Sequence, residues 1–454
     1  MTHHSDDCGC QEYRELSRRG FVTAAGLQVA ALAIPAEVPA WLPQVQYAAS
    51  ANSSRDVLVS VFMRGGADGL TLVAPFGDPE YYRGRPSIAV PRPDSTSPVR
   101  GTALDNFFML PPGMTALYPA YLANQLLVVH ATGQKATNSR SHFEAERYLE
   151  SGKPADYSIA TGWLARHLMT ATPAVANAPL RGISLSWGGT RLTLTGAPKT
   201  LPIPDPANYR HLAPDASVLD RLYATGWAPV RDSAKDALRT VSLLQGIGFS
   251  RYAPANGAVY PNTDFGKGLR SLAAIIKADA GVEAAHIDIG GWDTHANQGP
   301  TNGQMHTLMS DFAGSLGAFW ADVCQGAASH NVTVVAVSEF GRNARENGSQ
   351  GTDHGRASVA FFMGQGIAGG RVLSQWPGLD RSVLEDGQDL KVTIDHRDLL
   401  AEVVKYRLGN PNVAAIFPNY VPVDRGVTTS GPAATVTVRQ PQLQVKPAQP
   451  SRKK

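Results

Sequence analysis

The chain has 454 residues, of which 43% are hydrophobic and 17% are charged, and its formal net charge is +3. This length and composition describe a globular protein with one large α/β domain or two ordinary ones, and they exclude a disordered chain. The charge is too small and too dispersed to indicate binding to nucleic acid, so no nucleic-acid partner is expected.

The N-terminal segment predicts export. The Arg18–Arg19 pair precedes an alanine-rich stretch that is too short and too mildly hydrophobic for a stable membrane span. This pattern is typical of a twin-arginine signal, which predicts the twin-arginine translocase as a partner and a periplasmic or secreted protein. An ordinary amphipathic first helix is the alternative. With cleavage after Ala40 or near Ala48–Ala49, residues 1–48 are signal and linker, and the folded domain begins near Arg55.

Short apolar runs alternate with helix-like segments through the rest of the chain. The runs that predict strands are Val57–Met63, Gln125–Gly133, 181–189, 282–295, 332–342 and 357–364. The segments that predict helices are His142–Gly152, Val218–Thr225, Ser233–Leu244, Lys267–Ala278, Met305–Ala328 and Asp395–Gly409. Near-continuous apolar strands between helices are typical of a mostly parallel sheet with helices on both faces.

Two segments differ from this alternation. The proline-rich and helical stretch 198–279 is expected to be an insertion that caps one edge of the sheet. The last segment, 426–454, is rich in proline, glutamine and lysine, which indicates a solvated low-complexity tail. The folded domain is therefore expected to span 55–425.

Acidic and histidine side chains recur where the predicted strands end. In a parallel sheet the carboxyl ends of the strands meet at one edge, where ligands bind. Taken singly, each of these residues has an ordinary explanation as a turn residue, a helix N-cap, a surface acid or a loop histidine. Their recurrence at the same kind of position instead favours a shared site, whose candidates are Asp68, Asp293, His295, Glu339, Asp353 and His354.

These residue types predict a divalent metal ion. Imidazole nitrogens with carboxylate oxygens suit Zn²⁺ or Mn²⁺, whereas oxygen ligands alone would suit Mg²⁺ or Ca²⁺. The glycines in "GGADG", "GGWDTH" and "GTDHG" let the loops approach a small ion closely. Such an ion could polarise an ester oxygen and lower the pKa of a bound water, so a hydrolase is the natural class.

Several motifs together resemble one protein family. The arginine signal, "MRGGADGLTLVAP", "NSRSHFEAE", "GGWDTHANQ" and "SEFGRNARENGSQGTDHGRAS" resemble the twin-arginine-exported bacterial family called domain of unknown function 1501. That family is grouped with the alkaline phosphatase and sulfatase superfamily, and the resemblance extends to about Asn410. It implies a three-layer α/β/α sandwich of the alkaline phosphatase type, a metal centre, and a small-molecule or glycan ester of phosphate or sulfate as the substrate.

The resemblance also implies metal-ligand roles. Asp68 stands where superfamily members place the metal acid of the first strand. Asp293 and His295 are similar to an aspartate and histidine motif of related phosphodiesterases, but they are two residues apart rather than four. Glu339 and Phe340 replace the aspartate and histidine of the sulfatase motif Ser-Asp-His-Gly. The loss of that histidine leaves one metal, or none, as an alternative to two.

The "GTDHG" motif resembles a later Gly-x-His-Gly element of the superfamily. In that register His354 is the ligand and Asp353 is its neighbour. In a second register, Asp353 and His354 are themselves the acid and histidine pair.

The resemblance places the nucleophile at a helix N-terminus, where the helix dipole and free amides can hold a phosphate or sulfate. Ser139 and Thr137 are candidates, Ser141 is another, and Arg140 could pair with an oxyanion. Ser141 also forms a Ser-x-x-Glu capping box with Glu144, which explains it without chemistry. Direct attack by metal-bound water is the alternative.

Two functions follow. The first is an exported metal-dependent hydrolase of a phosphate or sulfate ester, although Ala136 stands where a formylglycine-type sulfatase needs Cys or Ser. The second is a non-catalytic binding or assembly protein of the cell envelope that keeps the fold. The many histidines and carboxylates at strand ends favour the hydrolase, whereas Phe340 and the open choice of nucleophile favour the binding protein. We expect the hydrolase.

Overall fold

The computed structural model describes residues 56–175, 177–210, 218, 221, 223–224, 227–326 and 330–430. The expected export signal at 1–48 lies outside the described residues. So do half of the helix predicted at Val218–Thr225 and most of the tail predicted at 426–454.

A large, mostly parallel sheet organises the described residues. Its strands and a separate two-stranded ribbon are β1 (Val57–Met63), β2 (Thr102–Ala103), β3 (Met109–Leu110), β4 (Leu126–Gly133), β5 (Gly182–Leu185), β6 (Thr200–Pro202), β7 (Ala284–Ile289), β8 (Val332–Val337), β9 (Ser358–Met363), β10 (Arg371–Ser374) and β11 (Ile394–Asp395). The nine-stranded sheet has the order β10-β4-β9-β8-β1-β7-β5-β6, and β11 also pairs with β4. Among these strands only β9 is antiparallel to its neighbours, β4 and β8.

Helices connect the strands and cover the sheet. They are α1 (Gly69–Leu72), α2 (Pro79–Gly84), α3 (Tyr118–Leu122), α4 (His142–Ser151), α5 (Trp163–Thr170), α6 (Ala228–Gly246), α7 (Asp264–Lys277), α8 (Gln304–Val323), α9 (His396–Tyr406) and α10 (Val413–Ile416). Short 3-10 turns lie at Pro112–Leu117, Leu192–Leu194, Pro206–Asn208 and Phe249–Arg251. None of the helices in the described ranges is both long enough and apolar enough to cross a bilayer.

Strand β1 is buried on both faces of the sheet. Its residues Val59 and Val61 belong to an apolar cluster that also contains side chains of α7 and α8. Its residues Leu58 and Phe62 belong to a second cluster, with side chains of α4, α5 and α9. Because alternate residues of a strand point to opposite faces, helices pack on both sides of β1. This explains why β1 is a continuous apolar run in the sequence.

The prediction of a mostly parallel sheet is confirmed, but the reversed direction of β9 was not predicted. An apolar run looks the same in either direction, so the sequence pattern cannot show how a buried strand is oriented. The short strands β10 and β11, of four and two residues, were also missed. They are too short to show a periodicity.

The stretch 198–279 contributes directly to the sheet and its covering layer. Strand β6 extends the sheet by pairing parallel to β5. Leu269 and Leu272 of α7 are fully buried in the same apolar cluster as β1. These two elements of the expected insertion are therefore part of the main core.

One edge of the sheet collects the polar residues. Strands β1, β4, β7 and β8 are parallel and end at this edge, which we call the carboxyl edge. Because β9 runs in the opposite direction, the residues just before it also lie at the carboxyl edge. The reversed strand therefore brings the "GTDHG" segment to the ends of the parallel strands.

Candidate metal centre

Three imidazoles surround one buried carboxylate at the carboxyl edge. The Nε2 atom of His354 lies 3.1 Å from the Nε2 atom of His142 and 3.1 Å from that of His295. Asp293 Oδ1 lies 3.1 Å from His354 Nε2 and 2.9 Å from His295 Nε2, whereas Asp293 Oδ2 lies 3.6 Å from His142 Nε2. We call these four residues the histidine–aspartate cluster.

The cluster is assembled from three distant parts of the chain. His142 is the first residue of α4, and Ser141 before it is the N-cap. Asp293 and His295 follow the end of β7, and His354 lies on the loop that enters β9. The parallel arrangement of β4 and β7, with β9 reversed, is what brings these loops to one place.

Each imidazole of the cluster is held through its other ring nitrogen. A carboxylate or a carbonyl oxygen can only accept a hydrogen bond, so each Nδ1 atom carries a proton, and each Nε2 atom, the one that could bind an ion, faces the cluster. The acceptors are Glu339 Oε1 at 2.7 Å for His142, Asp353 Oδ1 at 3.1 Å for His295 and the Arg140 carbonyl oxygen at 2.9 Å for His354. This arrangement is typical of metal-binding histidines.

Glu339 orients His142. Its Oε1 atom also accepts hydrogen bonds from the amides of Gly65 at 2.8 Å and Gly66 at 2.9 Å, and its Oε2 atom accepts one from Ser338 Oγ at 2.8 Å. Burial opposes its ionisation, but the interactions with His142 and the other hydrogen bonds together outweigh burial and lower the pKa of Glu339 below its ordinary value. The sequence predicts Glu339 as a ligand, and its contacts make it the partner of His142. Glu339 also offers a ligand atom within 4.8 Å of those of His142 and Glu146, so its role as a ligand stays a prediction.

Two consecutive glycines allow this contact. Gly65 and Gly66 both have positive φ angles, of 116° and 64°, so that their successive amides point at Glu339. A Cβ atom on Gly65 would lie 2.7 Å from the backbone nitrogen of Asp293. The "GGADG" motif therefore serves close backbone approach, as expected, although it does so for Glu339 and Asp293.

The two oxygens of Asp293 have different surroundings. Its Oδ1 atom accepts a hydrogen bond from Arg342 at 2.5 Å, and that arginine is fully buried. Its Oδ2 atom is buried and has no hydrogen-bond partner among the described residues. Burial raises the pKa of Asp293, but the three neighbouring imidazoles and the charge of Arg342 lower it well below its ordinary value, so the carboxyl group is ionised.

This donor set fits a divalent ion. His142, Asp293 and His354 each offer a ligand atom, and these atoms lie within 4.8 Å of one another. Imidazole nitrogens with one carboxylate oxygen suit Zn²⁺ or Mn²⁺ better than Mg²⁺ or Ca²⁺. The unpartnered Asp293 Oδ2 is the atom that an ion would satisfy, because a buried carboxylate oxygen without a partner is costly.

A buried network of charges adjoins the cluster. Arg64 pairs with Glu146 at 2.8 Å, Glu150 at 2.5 Å and Asp288 at 2.9 Å, and we call these four residues the Arg64 network. Glu146 also lies close to His142, within 4.8 Å between ligand atoms. Burial, together with the neighbouring carboxylates, raises the pKa of Glu146 to about 7 although Arg64 opposes the shift.

Asp68 does not join the cluster. It is fully buried, and the guanidinium of Arg85 donates to both of its oxygens, at 2.5 and 3.0 Å. Thr71 and Gln298 also donate to its Oδ2 atom. These contacts make Asp68 part of a buried ion pair, which corrects the expectation from its position after β1.

Of the candidate nucleophiles and their arginine, Ser139 and Arg140 donate hydrogen bonds to acids. Ser139 Oγ donates to Glu144 Oε2 at 2.8 Å, and the Ser139 amide donates to Thr137 Oγ1 at 3.1 Å. The guanidinium of Arg140 donates to Asp389 and Asp386. The contribution of Arg140 to the cluster is its backbone carbonyl, which accepts from His354.

The predicted capping box does not form. Ser141 is the N-cap residue of α4, as expected, but its side chain does not cap the helix. Glu144 instead accepts a hydrogen bond from Ser139. The Ser-x-x-Glu pattern was therefore correct for the helix boundary and wrong for the partner of Glu144.

His142 is the cluster residue that the sequence analysis missed. It stands in "NSRSHFEAE", directly after the N-cap of a helix that follows a buried strand, with Glu146 one turn later on the same helix. This position in the sequence could have identified His142 as a candidate ligand. The centre of the Phe340 ring lies 4.8 Å from that of His142 and 5.0 Å from that of His354, so Phe340 forms an apolar wall beside both rings.

Comparison with known proteins gives a family for the chain. A family model described as "Protein of unknown function (DUF1501)" matches residues 128–408, which is more than half of the chain and includes the whole histidine–aspartate cluster. No curated protein and no solved structure matches the chain.

Proposed function

Since the chain belongs to the DUF1501 family, we propose that it is a metal-dependent hydrolase related to the alkaline phosphatase and sulfatase superfamily. Its substrate would be a phosphate or sulfate ester. The observation that supports this proposal is the convergence of His142, Asp293 and His354, with the Nδ1 atom of each histidine held by its own acceptor. Apolar clusters on both sides of β1 support the three-layer arrangement of that superfamily.

In this proposal His142, Asp293 and His354 hold one divalent ion, with His295 beside it. The ion would supply Lewis acidity, which polarises the ester oxygen. Glu339 keeps the Nε2 lone pair of His142 directed at the ion. The side chain of His295 is 36% exposed, more than any other member of the cluster, so the ester approaches from the side of His295.

A specific observation favours the second function, a binding or assembly protein of the envelope. Ser139 is hydrogen-bonded to Glu144, and Arg140 is paired with Asp389 and Asp386, so both expected reacting groups have other partners. In that function the ion is structural, and the cluster stabilises the ends of β7 and β9.

We also propose export through the twin-arginine pathway, which rests on the Arg18–Arg19 pair. The mature protein is then expected in the periplasmic fraction, and Arg18→Lys/Arg19→Lys should retain the chain in the cytoplasm. An unchanged periplasmic yield of this double variant would contradict export through the twin-arginine pathway.

Elemental analysis and ester cleavage test the hydrolase. The parent, His142→Ala and His354→Ala are compared with His306→Ala, whose histidine lies on α8 outside the cluster. We expect about one equivalent of Zn or Mn in the parent and in His306→Ala. The two cluster variants should lose both the ion and the cleavage of an aryl phosphate monoester, an aryl phosphate diester or an aryl sulfate.

The outcomes separate the two functions. An ion that is lost in His354→Ala, from a parent that cleaves none of the three esters, supports the binding protein. A parent without a bound ion and without turnover after metal addition contradicts the metal centre itself.

A further inference from the structure

A tryptophan is exposed at the carboxyl edge, next to the strand that carries part of the cluster. Trp187 lies two residues beyond the end of β5, and its side chain is 82% exposed. Strand β5 is parallel to β7, with Leu185 opposite Ile287. The chain therefore leaves β5 at the same edge at which β7 leads to Asp293. Tryptophan is usually well buried, so its exposure here is informative.

The base of this loop is fixed to the Arg64 network. Four residues after Trp187, Arg191 pairs with Asp288 Oδ2 at 2.6 Å. Asp288 Oδ2 is also 2.9 Å from Arg64, which donates to Glu146 at 2.8 Å. These ion pairs connect the loop with Glu146, which offers a ligand atom within 4.8 Å of one on His142.

A second contact fixes the far end of the loop. The Thr193 amide donates to Glu150 Oε2 at 3.1 Å, and Glu150 is on α4, the helix that begins with His142. The loop from 186 to 193 therefore spans the ends of β5 and β7 and the face of α4. We call this loop the rim, and it lies at the carboxyl edge, as the cluster does.

The tip of the loop extends away from the rest of the protein. A Cβ atom on Gly188 or Gly189 would have no atom within 4 Å, and Gly189 has a φ of 96°, which suits glycine. A tip that packs against nothing nearby leaves the adjacent indole accessible to a ligand. The fixed base and open tip give Trp187 a defined place on the rim.

We propose that Trp187 is a substrate-binding residue, whose indole stacks on a ring in the organic part of the ester. The substrate class is then a ring-bearing phosphate or sulfate ester, with either an aryl group or a pyranose. This inference rests on the proposed function, because the cluster binds the anionic part. A ring presents a flat apolar face, which is the chemistry that an exposed indole recognises.

Equilibrium binding to the metal-loaded protein tests this inference without requiring turnover. Phenyl phosphate, a hexopyranose 6-phosphate and methyl phosphate are titrated by calorimetry, and any of them that the parent cleaves is replaced by its non-cleavable phosphonate analogue. The variants are Trp187→Ala and Trp187→Phe. Trp227→Ala is the matched control, because Trp227 is also exposed, at 75%, but lies before α6.

We expect Trp187→Ala to raise the Kd for a ring-bearing ester by about three- to tenfold, the usual size of an aromatic stacking contribution. The Kd for methyl phosphate should not change, and Trp187→Phe should restore most of the loss. An effect on phenyl phosphate alone identifies an aryl ester, and an effect on the sugar phosphate alone identifies a glycan ester.

Equal Kd values for the parent and Trp187→Ala with every ligand would overturn the inference, as would a parent that binds none of them. Ring-dependent binding that is lost in Trp187→Ala, in a protein that cleaves no ester, supports the role of Trp187 and contradicts the hydrolase. A failure of the role of Trp187 can therefore be distinguished from a failure of the proposed hydrolase.

Discussion

At the scale of single residues, the key contact is between Glu339 and His142. Glu339 Oε1 accepts from His142 and from two backbone amides, so its position is fixed by three donors. A carboxylate behind a metal-binding histidine sets the tautomer and increases the basicity of the ligating nitrogen. The affinity of the centre for its ion should therefore depend on a residue that does not touch the ion.

Replacement of Glu339 with glutamine tests this dependence. Glutamine keeps an oxygen that can accept from His142, but it removes the negative charge that favours the ligating form of the ring. We expect Glu339→Gln to weaken the binding of Zn²⁺ by about 10- to 100-fold, with a folded protein. Competition with a chromogenic chelator measures the affinity.

Glu346→Gln is the matched control for this variant. Glu346 lies on the same connection between β8 and β9, but its oxygens accept from Ser87 and from the Ile88 amide. It should therefore leave the Zn²⁺ affinity unchanged. Equal affinities in Glu339→Gln and the parent would mean that Glu339 does not support a ligand.

Single residues also show what the sequence could predict of the site. Asp293, His295 and His354 were expected from their positions after buried strands, and the structure brings them together. Asp68 satisfied the same criterion, yet Arg85 neutralises it. Residue type and strand position identify candidate ligands, but the sequence does not show which carboxylate forms an ion pair with a distant arginine.

At the scale of elements, the close approach of two loops determines the cluster. Gly351 lies where the loop before β9 touches the loop after β7, and a Cβ atom there would be 2.2 Å from the carbonyl carbon of His295. The backbone of one loop must move before any side chain larger than hydrogen can fit at 351. His295 and His354 are carried by these two loops.

Gly351→Ala should therefore separate the loops. We expect a loss of roughly 1–3 kcal/mol in the free energy of unfolding, as for an overpacked site, and at least about tenfold weaker ion binding. Chemical denaturation and chelator competition measure the two effects. Gly348→Ala, three residues earlier, has no atom within 4 Å of the added carbon and should change neither. Two variants with the same properties would contradict the close-contact argument.

The elements were predicted best where burial is complete. The predicted strand Val57–Met63 coincides with β1, and the helix predicted at His142–Gly152 coincides with α4 and its C-cap, where Gly152 has a φ of 65°. Both elements have a strong pattern of apolar residues. In α4 one apolar residue per turn faces the core, and β1 is apolar on both faces. The direction of β9 could not be predicted in this way, because the backbone hydrogen bonds that distinguish parallel from antiparallel pairing do not depend on residue type.

At the scale of the whole molecule, buried histidines make stability depend on pH. His130 is fully buried, its Nδ1 atom accepts from the Ala131 amide at 2.8 Å, and its Nε2 atom donates to the Val73 carbonyl at 3.0 Å. A second proton would place an N–H against the Ala131 N–H. Burial lowers the pKa of His130 to about 4.

The sign of the effect follows from this shift. Between the unfolded pKa near 6.5 and the folded pKa near 4, the unfolded chain binds a proton that the folded chain does not. The contribution of His130 to the free energy of unfolding is therefore fully present above pH 6.5 and is lost toward pH 4, by up to about 3 kcal/mol.

Urea unfolding of the parent and His130→Gln at several pH values measures this contribution. Glutamine can keep both hydrogen bonds but does not titrate, so the difference in unfolding free energy between the two proteins should change between pH 7.5 and 4.5. Between pH 7.5 and 8.5 that difference should stay constant, which serves as the internal control. A constant difference down to pH 4.5 would contradict the role of His130.

The reversed strand β9 brings together residues of the cluster that are far apart in the sequence. Because β8 and β9 are antiparallel neighbours, the connection between them closes as a wide hairpin of about 20 residues, which carries Glu339 and His354. His354 meets Asp293 across 61 residues and His142 across 212. In folding terms, one local hairpin carries Glu339 and His354, whereas the contacts of His354 with Asp293 and His142 join segments of high sequence separation, which come together more slowly.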